Sequence, residues 1–322
     1  MRVGIDVSPL RQTGAGTARH VNGLLDALAG RDGIDLKPLA FGGSGRLASV
    51  ARDTAWYLAG LPLAARGVDV LHCTTFRGPL RSPVPFTVTI HDLAVVRHPE
   101  LFPRWHRTSG RLAIGPVARA ATRVLVVSEF TKREAIGLLG VPEERVRVIG
   151  NAIDACFTPD GEAGGGEYVL AVGTLEPRKN LRRVEEAARI AGLELRVVGP
   201  RGWGDIASPS WLGPVSDEDL ARLYRGALCL AYPSLYEGFG IPVLEAMACG
   251  TPVVTSRDGA TQEVAGGAAV LVEPLDAGSI AAGLHEAIAR RAELRELGLA
   301  RAGSFTWAGV ADAAVSAWTE IA

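Results

Sequence analysis

The sequence has 322 residues, with 34 lysines and arginines against 35 aspartates and glutamates. This length exceeds what one hydrophobic core usually organises, so two domains are predicted, with a single barrel as the alternative. The balanced charge gives no net field that would favour nucleic acid or an anionic membrane as a partner. Four cysteines stand singly, which is typical of reduced thiols rather than of a zinc site or a disulfide framework. No apolar run has the length of a signal peptide or of a membrane span, so a soluble, cytoplasmic protein is expected.

Short β-branched runs recur along the chain, each followed by a turn and an alanine- and leucine-rich helical pattern. Runs without polar alternation, separated by helices, are typical of parallel sheets that are covered on both faces. The predicted fold class is therefore α/β, with doubly wound parallel sheets. In chain order the predicted strands are RVGIDV, DVLHC, FTVTIHD, RVLVVS, RVRVIGN, EYVLAVGT, ELRVVGP, LCLAYPS, TPVVTS and AAVLVE.

A glycine-rich turn, TGAGTARH, follows the first strand and opens a helical pattern. Gly14 and Gly16 let the backbone approach a ligand, and the N–H groups of the next helix favour an anion. The turn therefore indicates a phosphate or sugar contact, although many such loops only turn the chain. It is not a Walker A loop, because no Gly-Lys-Ser/Thr follows.

A histidine, His91, stands at the end of the strand FTVTI, where ligands bind in parallel sheets. Its imidazole could bond a substrate hydroxyl or an oxygen that develops charge. The alternative is a histidine that only caps the loop.

A polar, glycine-rich segment, 158–167, interrupts the alternation of strands and helices and is predicted to be a linker or hinge. The next strand ends at Gly173, and the loop after it supplies Arg178 and Lys179, whose fork and point charge together suit a diphosphate. The alternative is two solvated cations at the start of a helix. Positive charge is unfavourable at that end of a helix, so an anionic partner is expected.

Three successive acids, Asp217, Glu218 and Asp219, could suggest a metal site. Ser216 before them and the apolar periodicity after them instead predict a capped helix start with acids in its first turn. The histidines show no paired ligand spacing either, so no metal is expected.

The segment YPSLYEGFGIPVLEAMACGTPVV carries two glutamates in an otherwise apolar stretch. Pro242 suits the first turn of a helix and Gly250 its end, which places GFG in a loop, Glu237 before it and Glu245 in the first helical turn. A carboxylate among apolar residues needs a hydroxyl or a cation as partner. Because the loop separates the two glutamates, the pattern favours binding of two ends of a ligand over a shared proton transfer.

The last segment, FTWAGVADAAVSAWTEIA, is predicted to be an amphipathic helix that packs through its tryptophans and valines, Trp307, Val310, Val315 and Trp318. The predicted boundaries are 1–157 for the N-terminal domain, 158–304 for the C-terminal domain and 305–322 for the final helix.

Several motifs together resemble the retaining nucleotide-sugar glycosyltransferases of family four, which have the GT-B architecture of two Rossmann-like domains facing a cleft. In chain order the motifs are GIDVSPLRQTGAG, VSEFTKREAI, RVRVIGNAID, VGTLEPRKN and YEGFGIPVLEAMACGTPVV. They cover nearly the whole chain and follow one another in the order that the family leads us to expect. Two departures concern the acceptor: His20 stands where an aromatic residue is common, and the chain is shorter than many relatives.

The resemblance implies that the final helix, 305–322, packs back on the N-terminal domain, and it implies roles for particular residues. Glu245 would bind the ribose hydroxyls, Glu237 the hydroxyls of the donor sugar, and Arg178 with Lys179 the leaving diphosphate, while His91 would reach the donor sugar. The remaining residues that the resemblance assigns to donor binding are Gly14, Gly16, Gly173, Thr174, Gly238, Phe239, Gly240 and Ile241.

The activity implied is transfer of a hexose, with retention of configuration, to a glycan or lipid-linked acceptor. GDP-mannose is the favoured donor, because the N-terminal pattern most resembles bacterial mannosyltransferases of polysaccharide assembly; UDP-glucose is the second. No cofactor and no metal is implied, and peripheral membrane association stays open. Alternatives are a GT-B phosphorylase or nucleotide-sugar epimerase, and a non-catalytic module that binds a nucleotide sugar.

Overall fold

A computed structural model describes residues 1–11, 16–41, 51–204, 206 and 208–322. The chain forms two compact units, one of Met1–Ala152 with Thr306–Ala322 and one of Ile153–Phe305. Each unit contains one six-stranded parallel sheet with helices on its faces. The α/β fold class and the two Rossmann-like sheets predicted from the sequence are therefore confirmed.

The first unit has the strand order β2-β1-β3-β4-β5-β6. Its strands are β1 (Arg2–Asp6), β2 (Asp35–Leu39), β3 (Val70–Cys73), β4 (Phe86–Ile90), β5 (Arg123–Val126) and β6 (Val146–Val148). Its helices are α1 (Gly16–Leu28), α2 (Arg52–Gly60, with π-type hydrogen bonding), α3 (Leu61–Ala64), α4 (Ala94–Arg97), α5 (Arg104–Ala120), α6 (Glu129–Leu139) and the C-terminal α13 (Trp307–Thr319).

The second unit has the strand order β12-β11-β10-β7-β8-β9. Its strands are β7 (Tyr168–Val172), β8 (Glu194–Val198), β9 (Trp211–Gly213), β10 (Cys229–Tyr232), β11 (Val253–Ser256) and β12 (Val270–Val272). Its helices are α7 (Leu181–Ala191), α8 (Asp217–Gly226), α9 (Ile241–Ala248), α10 (Ala260–Ala265), α11 (Ala277–Ala289) and α12 (Arg291–Ala302).

All ten predicted strands form, and two further strands, β2 and β9, lie at sheet edges. The central strands β3, β4, β7, β10 and β11 are buried along their whole length, because helices cover both faces of each sheet. The strand β2, DLKPL, is interrupted by Asp35, Lys37 and Pro38 and only Leu39 is buried, so it lacks the apolar run by which the others are recognised. Proline has no N–H to donate, so Pro38 is tolerated in this edge strand, which has a neighbouring strand on one side only.

The C-terminal helix α13 belongs to the core of the first unit. Trp318 is fully buried in a cluster that includes Val3, Ile5 and Leu24, and Val310 of the same helix face joins it. The helix therefore closes one face of the first sheet, as its amphipathic pattern predicts.

The glycine-rich segment 158–167 is attached to helix α8. The amide of Gly164 donates to the carbonyl of Arg222 at 2.8 Å, and the Arg225 guanidinium donates to the carbonyls of Thr158 and Glu162. A side chain at Gly226 would overlap the backbone of Gly164, so glycine permits this close approach. The segment thus packs within the second unit, which begins at Ile153.

The predicted start of α8 is confirmed: the Ser216 hydroxyl accepts a hydrogen bond from the Asp219 amide at 3.1 Å. The three acids occupy the first turn of the helix, where they complement the partial positive charge of its amides. Across the described ranges, no three His, Cys, Asp or Glu side chains come together in a way that could hold a metal ion. In the same ranges no helix combines the length and apolarity needed to cross a bilayer.

Candidate active site in the second unit

The loop between β10 and α9 carries the two glutamates. Helix α9 begins at Ile241 after Gly240, which has a φ of +106°. A Cβ at Gly240 would lie 2.8 Å from the Thr261 methyl, so both conformation and space require glycine. Pro242 lies at the start of the helix, as predicted, but Glu245 is its fifth residue. The prediction that Glu245 lies in the first turn is wrong, because the helix begins one residue before the proline.

Glu237 is held by two cations and a tyrosine. Its Oε1 lies 2.6 Å from the Lys179 ammonium and accepts a hydrogen bond from the Tyr232 hydroxyl at 2.9 Å. Its Oε2 lies 2.7 Å from the Arg178 guanidinium. The Glu237 side chain is only 9% exposed, so these bonds operate largely away from water. Glu237 therefore joins Arg178 and Lys179 in one ionic cluster, although 58 residues separate Lys179 from Glu237 in sequence.

Arg178 ties two loops of the second unit together. Its guanidinium also bonds Glu176 at 2.6 Å, and its backbone carbonyl accepts from the amide of Leu235 at 2.8 Å. Glu176 is buried and supplies a second carboxylate to the cluster. With two cations and two carboxylates, the group formed by Glu176, Arg178, Lys179 and Glu237 is close to electrically neutral. We call it the ionic cluster.

The charges of the ionic cluster decide the protonation state of its members. Burial by itself would raise the pKa of Glu237, but the nearby Arg178 and Lys179 charges outweigh burial and lower that pKa to about 2. Burial lowers the pKa of Lys179, with the Arg178 charge acting in the same direction and Glu237 opposing. Glu237 is consequently a carboxylate at neutral pH, suited to accept hydrogen bonds and unsuited to donate a proton.

Asn180 holds the loop that carries the two cations. Its φ of +60° places it in the left-handed region, which asparagine tolerates better than most residues. Its side-chain amide donates to the carbonyls of Pro233 at 3.0 Å and Pro274 at 2.6 Å. Sequence reasoning missed Asn180, Tyr232 and Glu176; an asparagine between the short helix Pro177–Lys179 and α7 was the available signal for the first of them.

Glycines bring backbone close to the ionic cluster. Gly173 follows β7 with a φ of +147°, and a Cβ there would lie 3.1 Å from Cε of Lys179. The neighbouring Gly199 packs directly on the backbone of Gly173, where any side chain would overlap. A Cβ at Gly202 would similarly lie 2.6 Å from the methyl group of Thr174. Glycine at these positions thus permits close packing of the loops after β7 and β8 beside Lys179.

Glu245 is held separately from the ionic cluster. Its Oε2 accepts a hydrogen bond from the Tyr224 hydroxyl at 2.9 Å, and the carboxylate is almost completely buried. Burial, together with the Glu245 charge, raises the pKa of Tyr224 well above its usual value, so the tyrosine remains a donor. The hydrogen bond from Tyr224 of helix α8 therefore orients the Glu245 carboxylate.

His91 lies in the first unit, directly after β4. Its Nε2 is 2.9 Å from the Thr74 carbonyl, which can only accept, so Nε2 carries the proton. Burial lowers the pKa of His91, and its ring meets the ring of His20 edge to face at 4.9 Å. His91 is therefore a neutral imidazole near pH 7.

His20, on helix α1, is buried, and its ring contacts the rings of His91 and Trp307. Its Nδ1 lies 3.2 Å from Oδ1 of Asn151, an oxygen that also accepts from the amide of Ala152. Nδ1 is consequently the protonated nitrogen. Burial, with a contribution from His91, lowers the pKa of His20 to about 3. Of the two predicted glycines nearby, Gly16 begins α1, whereas Gly14 lies outside the described residues.

Comparison with known proteins agrees with these observations. Residues 156–299 match the family described as "Glycosyl transferases group 1", and residues 14–156 match "Glycosyltransferase Family 4". O-antigen chain mannosyltransferase B of Escherichia coli is 32% identical over 263 residues, which cover 71% of this chain and 69% of that protein. O-antigen chain mannosyltransferase RfbU of Salmonella typhimurium is 29% identical over 249 residues, 70% of this chain and 68% of that protein. The serotype-specific mannosyltransferase WbdA of Escherichia coli is 27% identical over 236 residues. The matched region covers 62% of this chain but only 29% of WbdA, which is the longer protein.

Solved structures share the fold at low sequence identity. Sucrose-phosphate synthase from Thermosynechococcus elongatus has a TM-score of 0.76 at 20% identity, over 99% of this chain and 98% of that one. HepE of Anabaena, solved with UDP-glucose, has a TM-score of 0.74 at 18% identity, over 99% and 100% of the two chains. The fold is GT-B, and the protein is a glycosyltransferase. The chain belongs to the group 1 glycosyltransferases, with a family four region in its N-terminal half.

Proposed function

We propose that the protein transfers mannose from GDP-mannose to a hydroxyl group of a glycan or lipid-linked acceptor, with retention of configuration. The ionic cluster carries the proposal, because it places two cations and an ionised carboxylate in the loops that follow β7 and β10, at the edge where parallel sheets bind ligands. Mannose is supported by the names of the two O-antigen mannosyltransferases, and a nucleoside diphosphate sugar by the UDP-glucose in the HepE structure. The site of action is the cytoplasm, at the inner membrane face where the acceptor is lipid-linked.

The reaction breaks the bond between C1 of the sugar and the phosphate oxygen, which leaves with the electron pair. The acceptor hydroxyl oxygen forms the new bond to C1, and its proton passes to the departing phosphate. Negative charge therefore develops on the diphosphate, and preorganised cations stabilise such charge without reorganisation. Arg178 and Lys179 provide this stabilisation, because Glu176, Glu237 and Asn180 already hold their loop in place.

Glu237 has two tasks in this proposal. It fixes the ammonium and guanidinium groups, and it offers acceptor oxygens to hydroxyls of the donor sugar. Its pKa of about 2 keeps it ionised throughout the cycle, which favours binding over acid catalysis. Glu245, oriented by Tyr224, accepts from the ribose hydroxyls, and the amides of Gly238, Phe239 and Gly240, with Thr174 and Ile241, bind the remaining donor. His91 accepts a hydrogen bond from a sugar hydroxyl at Nδ1, which is unprotonated because Nε2 carries the proton that bonds the Thr74 carbonyl.

A transfer assay tests the proposal directly. The protein is incubated with GDP-mannose or UDP-glucose, and release of nucleoside diphosphate is followed with and without an extract of glycan and lipid acceptors. We expect release from GDP-mannose to be the faster, and the anomeric coupling of the product to match that of the donor. Release of a sugar phosphate would identify a phosphorylase instead, conversion of the free donor an epimerase, and binding without release a non-catalytic module.

A further inference from the structure

The hydroxyl group of Tyr232 closes a ring of hydrogen bonds with two members of the ionic cluster. It accepts from the Lys179 ammonium at 2.6 Å and donates to Oε1 of Glu237 at 2.9 Å. The same Oε1 accepts from Lys179 at 2.6 Å. A phenol has a single O–H to donate, and a carboxylate can only accept. The hydroxyl proton therefore points to Glu237, and an oxygen lone pair faces the ammonium.

The fold holds Tyr232 in place. It is the last residue of β10, a strand in the middle of the second sheet, and it is buried. Its carbonyl accepts a hydrogen bond from the Thr255 hydroxyl of the neighbouring β11 at 3.0 Å. Burial, together with the charge of Glu237, raises the pKa of Tyr232 well above its usual value. The phenol therefore stays protonated and presents its oxygen to Lys179 from a buried strand.

The two cations of the ionic cluster are positioned in different ways. The planar fork of Arg178 bonds two carboxylates, those of Glu176 and Glu237. Lys179 is a point charge on a flexible stem, and within the described contacts it bonds one carboxylate, Glu237. Tyr232 supplies its second acceptor. With one N–H bond directed to each acceptor, the position of Nζ and the direction of the third N–H bond are both defined.

Tyr232 also favours the charged form of Lys179. The ammonium lies over the tyrosine ring, 4.9 Å from its centre, where a cation is attracted to an aromatic face. Burial lowers the pKa of Lys179, and the Arg178 charge acts in the same direction. The charges of Glu237 and Glu176, in the loops after β10 and β7, oppose both. A hydroxyl acceptor on the ammonium adds to this opposition, and only the charged amine can stabilise a departing diphosphate.

We propose that Tyr232 is a positioning residue for glycosyl transfer, whose hydroxyl holds the Lys179 ammonium where the diphosphate departs. The inference rests on the proposed function, because that function assigns the departure of the diphosphate to Arg178 and Lys179. The ring of Tyr232 packs in the core of the unit, whereas its hydroxyl alone bonds Lys179. Tyr232→Phe keeps the ring and removes only the hydroxyl, so it separates this role from simple packing.

The titration of Lys179 tests the contact without any substrate. Lys37, Lys132 and Lys179 are the only lysines of the sequence, so their side chains can be resolved by NMR after labelling with carbon-13 at Cε. We expect Tyr232→Phe to raise the acid dissociation constant of the Lys179 ammonium about three- to tenfold, the factor of one net hydrogen bond. Lys37 and Lys132, both in the first unit, should titrate as in wild type.

Release of GDP from GDP-mannose, with the acceptor extract present, measures the effect on catalysis. We expect Tyr232→Phe to lower kcat about three- to tenfold at pH 7 and to change the KM for the donor less than about twofold, because the lost bond acts on the leaving group. The alkaline fall of kcat should begin at lower pH in the variant, since its ammonium loses a proton more readily.

Tyr168→Phe is the matched control. Tyr168 of β7 is also buried, and its hydroxyl donates to the Leu223 carbonyl at 2.7 Å, outside the ionic cluster. Its substitution should change neither kcat, nor KM, nor the titration of Lys179. Both variants keep an aromatic ring and should fold, and their rates are compared at equal intervals below each melting temperature.

Three outcomes would overturn the proposal: an unchanged kcat, identical titration curves of Lys179 in wild type and Tyr232→Phe, or an equal loss of kcat in Tyr168→Phe. A higher donor KM at unchanged kcat would instead show that the hydroxyl serves sugar binding through Glu237, which also contradicts it. If the wild type releases no nucleoside diphosphate, the proposed function fails, whereas the titration of Lys179 still tests its contact with Tyr232.

Discussion

Two groups of buried ionisable side chains, one in each unit, differ in their charge state. In the second unit, Arg178 and Lys179 keep Glu237 charged, with a pKa lowered to about 2. In the first unit, His20 and His91 have no carboxylate at bonding distance within the described contacts, and burial lowers the pKa of each, so both stay neutral. Burial disfavours charge in both places, and only the supply of opposite charge differs.

This difference separates two kinds of chemistry. Preorganised cations can stabilise charge that develops on a leaving group, whereas a neutral imidazole can accept or donate a hydrogen bond without that effect. In the proposed reaction, the second unit thus stabilises the leaving group and the first recognises hydroxyl groups. The following predictions test this contrast, from the largest expected effect to the smallest.

Removing one cation of the ionic cluster should have the largest effect. We expect Arg178→Ala to lower the rate of mannose transfer about 10²- to 10³-fold, the loss typical of one preorganised stabilising group. Arg257→Ala is the matched control in the same unit, because Arg257 forms an exposed ion pair with Glu273. Initial rates at saturating donor provide the measurement. A loss below threefold in Arg178→Ala would show that the cluster is only structural.

Acid should destabilise the protein through its buried histidines before it affects Glu237. The pKa of His20 and of His72 is lowered to about 3 by burial, so the unfolded chain binds protons more readily from pH 6.5 downward. The stability that each neutral histidine contributes is complete above pH 6.5 and falls by up to about 1.4 kcal/mol per pH unit as the pH decreases toward 3. Glu237, lowered from 4.5 to about 2, loses its contribution only between those two values.

Urea unfolding at pH 7, 6 and 5 measures this slope. His20→Phe should flatten it, because phenylalanine cannot take up a proton, while His285→Ala, at an exposed histidine of α11, should leave it unchanged. Identical slopes for wild type and His20→Phe would contradict the role given to His20.

Position 240, at the end of the loop before α9, should tolerate no side chain. Gly240→Ala is expected to lower the free energy of unfolding by about 1–3 kcal/mol, from the positive φ and the contact with Thr261. Gly137→Ala, in the exposed interior of α6 with open space around it, is the opposite case. It should stabilise by up to about 1 kcal/mol through helix propensity. Denaturant midpoints compare the two, and a stable Gly240→Ala would show that the loop relaxes.

Removal of divalent metal should have the smallest effect. Because two cations stand where the diphosphate is proposed to leave, transfer should proceed at an unchanged rate after dialysis against EDTA. The control is a metal-dependent transferase treated in the same way. Loss of transfer that is restored by Mg²⁺ would overturn this expectation.

The strands of both sheets could be predicted from sequence wherever a strand is buried on both faces. The run FTVTI in β4 and the run YVLAV in β7 are rich in β-branched and aliphatic residues, which is typical of a parallel strand covered on both faces. The strands β2 and β9 could not be predicted, because an edge strand is short or polar and its pairing depends on a distant neighbour. The fifth position of Glu245 in α9 was misjudged by a shift of one residue in the helix start.

Local sequence also identified the chemistry of the proposed site but not its bonding. The loop PRKN and the glutamate of YEGFG were recognised as cationic and anionic groups for a ligand. That they bind one another depends on β7 and β10 being neighbours in the sheet, a fact that neither motif contains. The roles of Glu237, Arg178, Lys179, Glu245 and His91 in catalysis stay predictions.

By itself the sequence determined the α/β class, the division of the chain into two strand-helix arrays and the residue types available for binding a nucleotide sugar. These follow from local periodicity, glycine and proline positions, and charge, which act over a few residues. The tertiary structure alone decided which charges meet and which histidines stay neutral. Those properties arise from burial and from distances between residues far apart in sequence, and electrostatic free energies depend on both.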